Sequence, residues 1–185
     1  MKNIQKPTQP ISEEEIANSK TVLEAFFIHS LQEMYYAENL IAIEFSVIED
    51  QIISLNLKKI LHNHYEILLK HKNRLEKIFQ SINKPSASKN CNTFNALLNE
   101  GKGHLSMFEG DPANWEIALI LVSQKLAHYK IASYGGLAHL AIKLSFYKAA
   151  TLLAISAQEE EEFIAHNLNG IIDAFLSSHV EGYKN

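Results

Sequence analysis

The chain has 185 residues, of which 46% are hydrophobic and 21% are charged, and this length suffices for one domain with a full core. A net charge of -4 and a pI near 6.1 exclude the broad basic face that is typical of nucleic-acid-binding proteins. Because the N-terminus is polar, we expect no signal peptide, and because no apolar run is long enough, we expect no membrane-spanning helix. The single cysteine, Cys91, fits a reducing cytoplasm.

Helices are predicted for most of the chain because it contains only 7 Gly and 4 Pro, the residues that interrupt them. Residues 1–20 form a polar lead-in, which we expect to be loose over residues 1–11. Ser12 and Glu15 have the form of a capping box, which predicts that a short helix begins there. Residues 21–180 are expected to form a single helical domain.

The first long helix, helix A, is predicted from about Thr21 to Ile53, where apolar residues recur at the three-, four- and seven-residue steps of one helical face. The seven-residue step from Met34 to Ile41 omits one expected apolar position, and Glu38 occupies it. A carboxylate on a buried face is costly unless it is paired, hydrogen-bonded or bound to a metal. Glu38 therefore needs a partner from another part of the chain.

Helix B is predicted after a reversal at residues 54–56, with His64 and His71 in the two gaps of its apolar stripe, and it ends before Pro85. A shorter helix follows at about residues 91–107. A single histidine on an apolar stripe is most often a hydrogen-bonded core residue, so position alone makes neither histidine a metal ligand.

Helix C is predicted to begin at a turn, with Asp111 as N-cap and Pro112 at the first helical position, and to run to about Lys143. Helix D continues from a turn near Ser145 to about Ser178. Short A–B and C–D connections and a longer B–C link predict an all-α, ferritin-like four-helix bundle, in which the long B–C crossover carries the extra short helix.

The rise of an α-helix places four polar side chains at one height in this bundle. Glu38 lies 16 residues before the A–B turn and His71 lies 17 residues after it, while Lys130 and Glu160 each lie 15 residues from the C–D turn. Bundles of the di-iron carboxylate class hold their metals in such a layer. An ammonium there would repel a divalent ion and pair with a glutamate instead, so we favour an internal salt bridge over an intact two-metal site. Other side chains close to this height are Tyr35, His128 and Tyr134.

Several stretches carry a more specific pattern than helical spacing, and together they resemble the YciF/YciE-type family of ferritin-like bacterial stress proteins from about Leu23 to Leu168. The matching stretches are residues 31–38, 64–79, Cys91 with 97–101, 111–112, 118–120, Gln124 and 128–135. The resemblance implies a helical bundle, usually dimeric, that is associated with stress responses and contains carboxylates and a histidine resembling a di-metal site. The biochemical function of that family is unsettled.

Carried over position by position, the resemblance implies that some ligand positions are retained and others are lost. Glu38, His64 and the Glu159-Glu160 pair are retained, and His71 falls where members carry Gln or His. Three plausible ligand positions of the family are changed in this chain, where they read Ile67, Ala127 and Lys130.

Two hypotheses follow. The first is a metal-poor or metal-free protein with a structural or interaction role, acting as a homodimer without nucleic acid or membrane. The alternative is an iron- or manganese-binding oxidoreductase, or a peroxide- or iron-detoxifying protein, that uses a reduced carboxylate–histidine site. Its metal ligands would be Glu38, His71, His128 and Glu160, with Glu159 and His64 as alternates and Lys130 as the internal cation. No catalytic residue is assigned, and a nucleophilic role for Cys91 is disfavoured because no activating base lies near it in the sequence.

Overall fold

A computed structural model describes residues 13–182 of the chain, and all regular structure in that range is helical. The six α-helices are α1 (Glu13–Ile48), α2 (Leu55–Ser81), α3 (Asn92–Ser106), α4 (Pro112–Lys143), α5 (Tyr147–Phe163) and α6 (Asn169–Gly182). A 3-10 turn, Glu49–Gln51, follows α1, and a π-helical turn, Ile164–Leu168, joins α5 to α6. No helix in this part of the chain is long and apolar enough to cross a lipid bilayer.

Helix α1 differs from predicted helix A at both ends. It begins at Glu13, so residues 13–20 of the predicted lead-in are helical, whereas Ser12 of the proposed capping box lies outside the described residues. It ends at Ile48, before the predicted Ile53. The chain leaves the helix early because Glu116 provides an alternative acceptor for the backbone: its Oε1 accepts hydrogen bonds of 2.7 Å from the N–H groups of residues 53 and 54.

The predicted start of helix C is confirmed by its cap, whereas α2 begins at Leu55, inside the predicted reversal at residues 54–56, with Ser54 as its N-cap. The Ser54 hydroxyl accepts a hydrogen bond from the backbone N–H of Leu57 at 3.3 Å, and Asp111 accepts one from Asn114 at 3.3 Å. Pro112 occupies the start of α4, and the turn before it contains a glycine with a φ of +88°, which a residue with a Cβ rarely adopts.

Predicted helix D is observed as a continuous helical segment from Tyr147 to Gly182, and the π-helical turn that divides it into α5 and α6 was not predicted. Ile164 and Leu168 of this turn are buried in the same apolar cluster as Phe163 and Ile171. The apolar stripe therefore continues through the wider turn, and its spacing gives no sign of the change in helix type.

The four long helices contact one another in a closed ring, α1 to α2, α2 to α5, α5 to α4 and α4 to α1, while α3 packs against α4. Their buried apolar side chains form one cluster around Phe27, Ile78 and Leu153 and a second around Leu57 and Phe163. Between these clusters lies a layer of buried charged and polar side chains.

Candidate functional site

Each of the four packed helices contributes one polar side chain to the buried layer. Glu38 comes from α1, His71 from α2, Lys130 from α4 and Glu160 from α5, and none of them is more than 1% exposed. The structure thus brings together the four residues to which the helical rise assigned one height, and it turns Lys130 towards the interior.

The ammonium of Lys130 is the centre of this layer. Its Nζ lies 2.9 Å from Glu38 Oε1 and 2.5 Å from Glu160 Oε1, and it donates a 3.3 Å hydrogen bond to His71 Nδ1. An ammonium has three N–H donors, so these three acceptors satisfy it completely. Because the layer is buried, each of these charged hydrogen bonds is stronger than an exposed pair would be.

The three charges keep one another ionised. Burial by itself lowers the pKa of Lys130, but the carboxylates of Glu160 and Glu38 outweigh burial and raise that pKa. Burial likewise raises the pKa of both glutamates, and the facing ammonium reverses this effect, so the pKa of each carboxyl lies below its ordinary value. At neutral pH the layer therefore holds one ammonium and two carboxylates.

Glu38 has a second partner on one oxygen and none on the other. The hydroxyl of Tyr134 donates to Glu38 Oε1 at 2.5 Å. Burial and the carboxylate together raise the pKa of Tyr134, so this phenol keeps its proton. Oε2 of Glu38 is buried and has no hydrogen-bond partner among the described residues.

A second ion pair closes the layer on the α2–α5 side. His71 Nε2 lies 2.9 Å from Glu159 Oε2, and Arg74 donates to both oxygens of Glu159, from Nη1 at 2.5 Å and from Nη2 at 2.7 Å. Since Nδ1 of the same imidazole accepts from Lys130, Nε2 carries the proton and donates to Glu159. The sequence interpretation did not assign a role to Arg74, although its position three residues after His71 places it on the same helical face.

His64 supports Glu160 from the other side. Its Nε2 lies 3.0 Å from Glu160 Oε2, and its ring stacks on Phe163 with a centroid distance of 3.6 Å. Burial lowers the pKa of His64 by more than Glu160 raises it, which keeps the imidazole neutral. The sequence named His64 as an alternate ligand only, and the structure places it in direct contact with the layer.

Two predicted neighbours lie elsewhere. His128 is exposed on the outer side of α4 and is not brought into the layer. Tyr35 is partly buried and donates its hydroxyl to Glu76 at 2.8 Å.

The residues of this layer do not fit a pair of divalent metal ions. The acceptors that would ligate a metal already converge on Lys130 Nζ, and the ammonium would repel a divalent ion at that point. Ala127 and Ile67 provide no donor atom. Across residues 13–182, no group of three His, Cys, Asp or Glu side chains has an arrangement that could hold a metal ion. The layer is chemically an ion-pair network with its cation built into the chain.

Comparison with known proteins gives a consistent set of matches. The family model described as a domain of unknown function, DUF892, matches residues 22–181. The chain is 31% identical over 145 residues to protein YciF of Escherichia coli strain K12, a match that covers 78% of this chain and 86% of that protein.

Two solved structures have a similar fold. The crystal structure of the Escherichia coli stress protein YciF has a TM-score of 0.77 at 28% identity and covers 84% of this chain and 97% of that one. The structure of YcfI from Rhodopseudomonas palustris has a TM-score of 0.75 at 26% identity and covers 80% of this chain and 92% of that one.

Proposed function

This chain belongs to the DUF892 family, and from that premise we propose that it is a ferritin-like protein associated with stress responses whose central cation is Lys130 instead of a metal. The resemblance to YciF-type proteins inferred from the sequence is confirmed by the match to Escherichia coli YciF. In the proposed arrangement, α1, α2, α4 and α5 form a ferritin-like four-helix bundle, and α3 lies in the crossover between α2 and α4. The protein acts in the cytoplasm through structure and interaction, as a homodimer.

The observation that carries this proposal is the contact of one fully buried ammonium with two buried carboxylates. Lys130 Nζ lies 2.9 Å from Glu38 and 2.5 Å from Glu160, at the mid-height of the helices. A metal ion at this point would have to displace the ammonium, leaving a buried positive charge without its partners. The built-in cation faces both buried carboxylates and offsets one of their two negative charges, which is the role that a bound iron or manganese ion would otherwise have.

The dimer is supported by glycines that the fold of one copy does not require. Gly136 lines a groove of about 310 Å³ between α1 and α4, together with Ala132 and the exposed ring of Phe26. A Cβ atom built on Gly136 would meet nothing within 4 Å, so this glycine serves no close helix crossing within the chain; Gly135 also has open space but lines a different groove, against α5. We propose that the α4 helix of a second copy approaches at this run of small residues.

Metal content tests the first part of the proposal. The protein is loaded aerobically with iron and, separately, with manganese, and bound metal is measured by mass spectrometry. We expect no stoichiometric metal in the wild type and a gain of metal in Lys130→Glu, which places a carboxylate where the ammonium was. Lys125→Glu is the matched control, because Lys125 is an exposed lysine of the same helix that pairs with Glu100. Stoichiometric metal in the wild type that disappears in Glu38→Gln would refute the proposal.

Light scattering tests the dimer. Gly136→Leu is expected to yield a folded monomer, since the added side chain has open space within its own chain and obstructs only a partner. Gly103→Leu is the control, because a Cβ at Gly103 also meets nothing within 4 Å and the residue lies on α3, away from the groove. If light scattering gives the wild-type protein the molar mass of a monomer at micromolar concentration, the proposed dimer is disproved.

The alternative function is a metal-binding oxidoreductase, and one observation favours it. Glu38 Oε2 is buried without a hydrogen-bond partner in the described part of the chain, and such an oxygen is an acceptor for a cation or a water molecule. Iron or manganese that is bound by the wild type and lost from both Glu38→Gln and Glu160→Gln would establish this alternative.

A further inference from the structure

An apolar cavity of about 100 Å³ lies beside the charged layer, between α1, α2, α3 and α4. Its walls are formed by aliphatic and aromatic side chains and by the small Ala127, which is 1% exposed. The principal wall residues are Phe45, Leu61, Leu98, Val122 and Leu126. Four helices surround this space, and it opens to the surface at the end where the exposed Lys102 and the partly exposed Glu44 lie.

The cavity reaches two groups of the charged layer, Lys130 and His64, and a charged pair at its outer end. The N–H donors of Lys130 are fully used by Glu38, Glu160 and His71, so this ammonium has no hydrogen bond left for a ligand. At the outer end, Lys102 donates to Glu44 at 2.6 Å. Of the two charged-layer groups in the wall, the one with remaining capacity is therefore His64. Tyr65 and Ser123 also line the cavity, and the Ser123 hydroxyl donates to the Leu119 carbonyl at 2.8 Å.

The proton of His64 is placed by its contact with Glu160. Nε2 lies 3.0 Å from an ionised carboxylate, which can only accept, so Nε2 must donate. Burial of the ring, which is 7% exposed, favours the neutral imidazole, whose Nδ1 then carries a lone pair, and Glu160 is the only hydrogen-bond partner of this ring among the described residues. Beside the charged layer the cavity thus offers apolar walls and the Nδ1 acceptor of His64.

We propose that this cavity binds a small uncharged aromatic molecule that carries one hydroxyl group, of which phenol is the simplest representative. The ring fills the space between Leu61, Val122 and Ala127, and the hydroxyl donates to His64 Nδ1. Lys130 and His64 belong both to the charged layer and to the wall of this cavity, and the titration below reads phenol binding without added metal, so its outcome is distinguishable from that of the metal-content test.

The size of the cavity limits the ligand to one ring. An engineered apolar cavity of about 150 Å³ in another protein binds benzene, whereas drug-sized ligands occupy pockets of roughly 300–1,000 Å³. A volume of about 100 Å³ therefore suits six or seven non-hydrogen atoms after small side-chain adjustments. A charged ligand is excluded, because the walls could not compensate the loss of its hydration.

The test titrates the wild-type protein with phenol and with benzene and follows ¹⁵N-labelled histidine and methyl resonances by NMR. We expect saturable phenol binding, contacts from the ring protons to methyl groups of Leu61 and Val122, and a change in the His64 Nδ1 resonance. Benzene is expected to bind about two- to tenfold more weakly, as for the loss of one neutral hydrogen bond. Absence of saturable phenol binding, or equal affinity for the two ligands, would overturn the proposal.

A variant that fills the cavity provides the matched comparison. Ala127→Leu is expected to abolish phenol binding, whereas Ala113→Leu, at an exposed position of the same helix, is expected to leave it unchanged. If Ala127→Leu does not fold, Leu126→Ala takes its place, because it enlarges the same cavity. Leu126→Ala is expected to bind a methylated phenol at least tenfold more tightly than the wild type does. The assignment of the site would be contradicted if Ala127→Leu still binds phenol. It would also be contradicted if Leu126→Ala shows no higher affinity for the methylated phenol than the wild type.

Discussion

Replacing Lys130 by methionine removes the buried cation while keeping most of the side-chain volume. At an effective dielectric constant of about 20, contacts of 2.9 and 2.5 Å each correspond to about 6–7 kcal/mol of attraction between unit charges. The desolvation of each buried ion offsets several kcal/mol of that attraction. Removing one partner nevertheless leaves Glu38 and Glu160 buried without compensation, so we expect Lys130→Met to lower the free energy of unfolding by about 3–5 kcal/mol at pH 7.

Urea denaturation followed by circular dichroism between pH 4 and pH 8 measures this change. In the wild type the pKa of both carboxyls is lowered below the ordinary value of 4.5, so their stabilisation is present above about pH 4.5 and is lost as the pH falls further. In Lys130→Met, burial is no longer opposed by the ammonium, so the pKa of the buried carboxyls is expected to rise. The raised pKa of these carboxyls therefore stabilises the folded variant at low pH, and this stabilisation is lost as the pH increases. The difference between the two proteins should therefore be largest near pH 7 and shrink towards pH 4.

Two controls separate the charge effect from general damage. Lys125→Met removes an exposed lysine of α4 and is expected to change the unfolding free energy by less than about 1 kcal/mol. The double variant Lys130→Met/Glu160→Gln removes one of the stranded charges and is expected to recover part of the loss. A Lys130→Met protein as stable as the wild type at pH 7, or a difference that grows towards acid pH, would refute the reasoning.

Two further substitutions test contacts that hold the helices in place, again by urea denaturation. Glu116→Ala removes the acceptor for the N–H groups of Ile53 and Ser54 and is expected to lower the free energy of unfolding by about 1–3 kcal/mol. Glu116→Gln retains a side-chain oxygen and is expected to lose less. Equal losses in the two variants would show that these hydrogen bonds are not the cause. Gly101→Ala would place a Cβ 2.7 Å from Val122 Cγ1 and is expected to lower the free energy of unfolding by about 1–3 kcal/mol, despite the higher helix propensity of alanine. Adding Val122→Ala should remove that clash. An unchanged or greater stability of Gly101→Ala alone would contradict this packing.

The sequence determined the helices and the height of the charged layer. Apolar spacing, the Asp111 cap and the scarcity of glycine and proline specify long helices, because these signals act within a few residues of one another. The constant rise per residue then places Glu38, His71, Lys130 and Glu160 at one level. It also made Lys130 a candidate internal cation, since an inward-facing ammonium is compatible with two carboxylates and incompatible with a divalent ion.

Only the tertiary structure decided how each helix is rotated about its axis. Successive residues are separated by about 100°, so height along a helix leaves direction open unless one apolar stripe fixes it. Helix α4 is apolar on much of its surface, and for that reason its sequence did not distinguish the buried Lys130 from the exposed His128. The same freedom hid the contact of His64 with Glu160 and the role of Arg74, which depend on two helices facing each other.

The break in the last predicted helix has a related cause. A π-helical turn at Ile164–Leu168 keeps its apolar residues in the core, so the local pattern is satisfied by either helix type. The residues around Ala127 are likewise an ordinary apolar stripe in sequence, and the cavity beside them exists only because four helices meet there without filling the space. Local interactions thus fixed the helices and their levels, whereas the partners of each side chain and the space between them were fixed by how the helices pack.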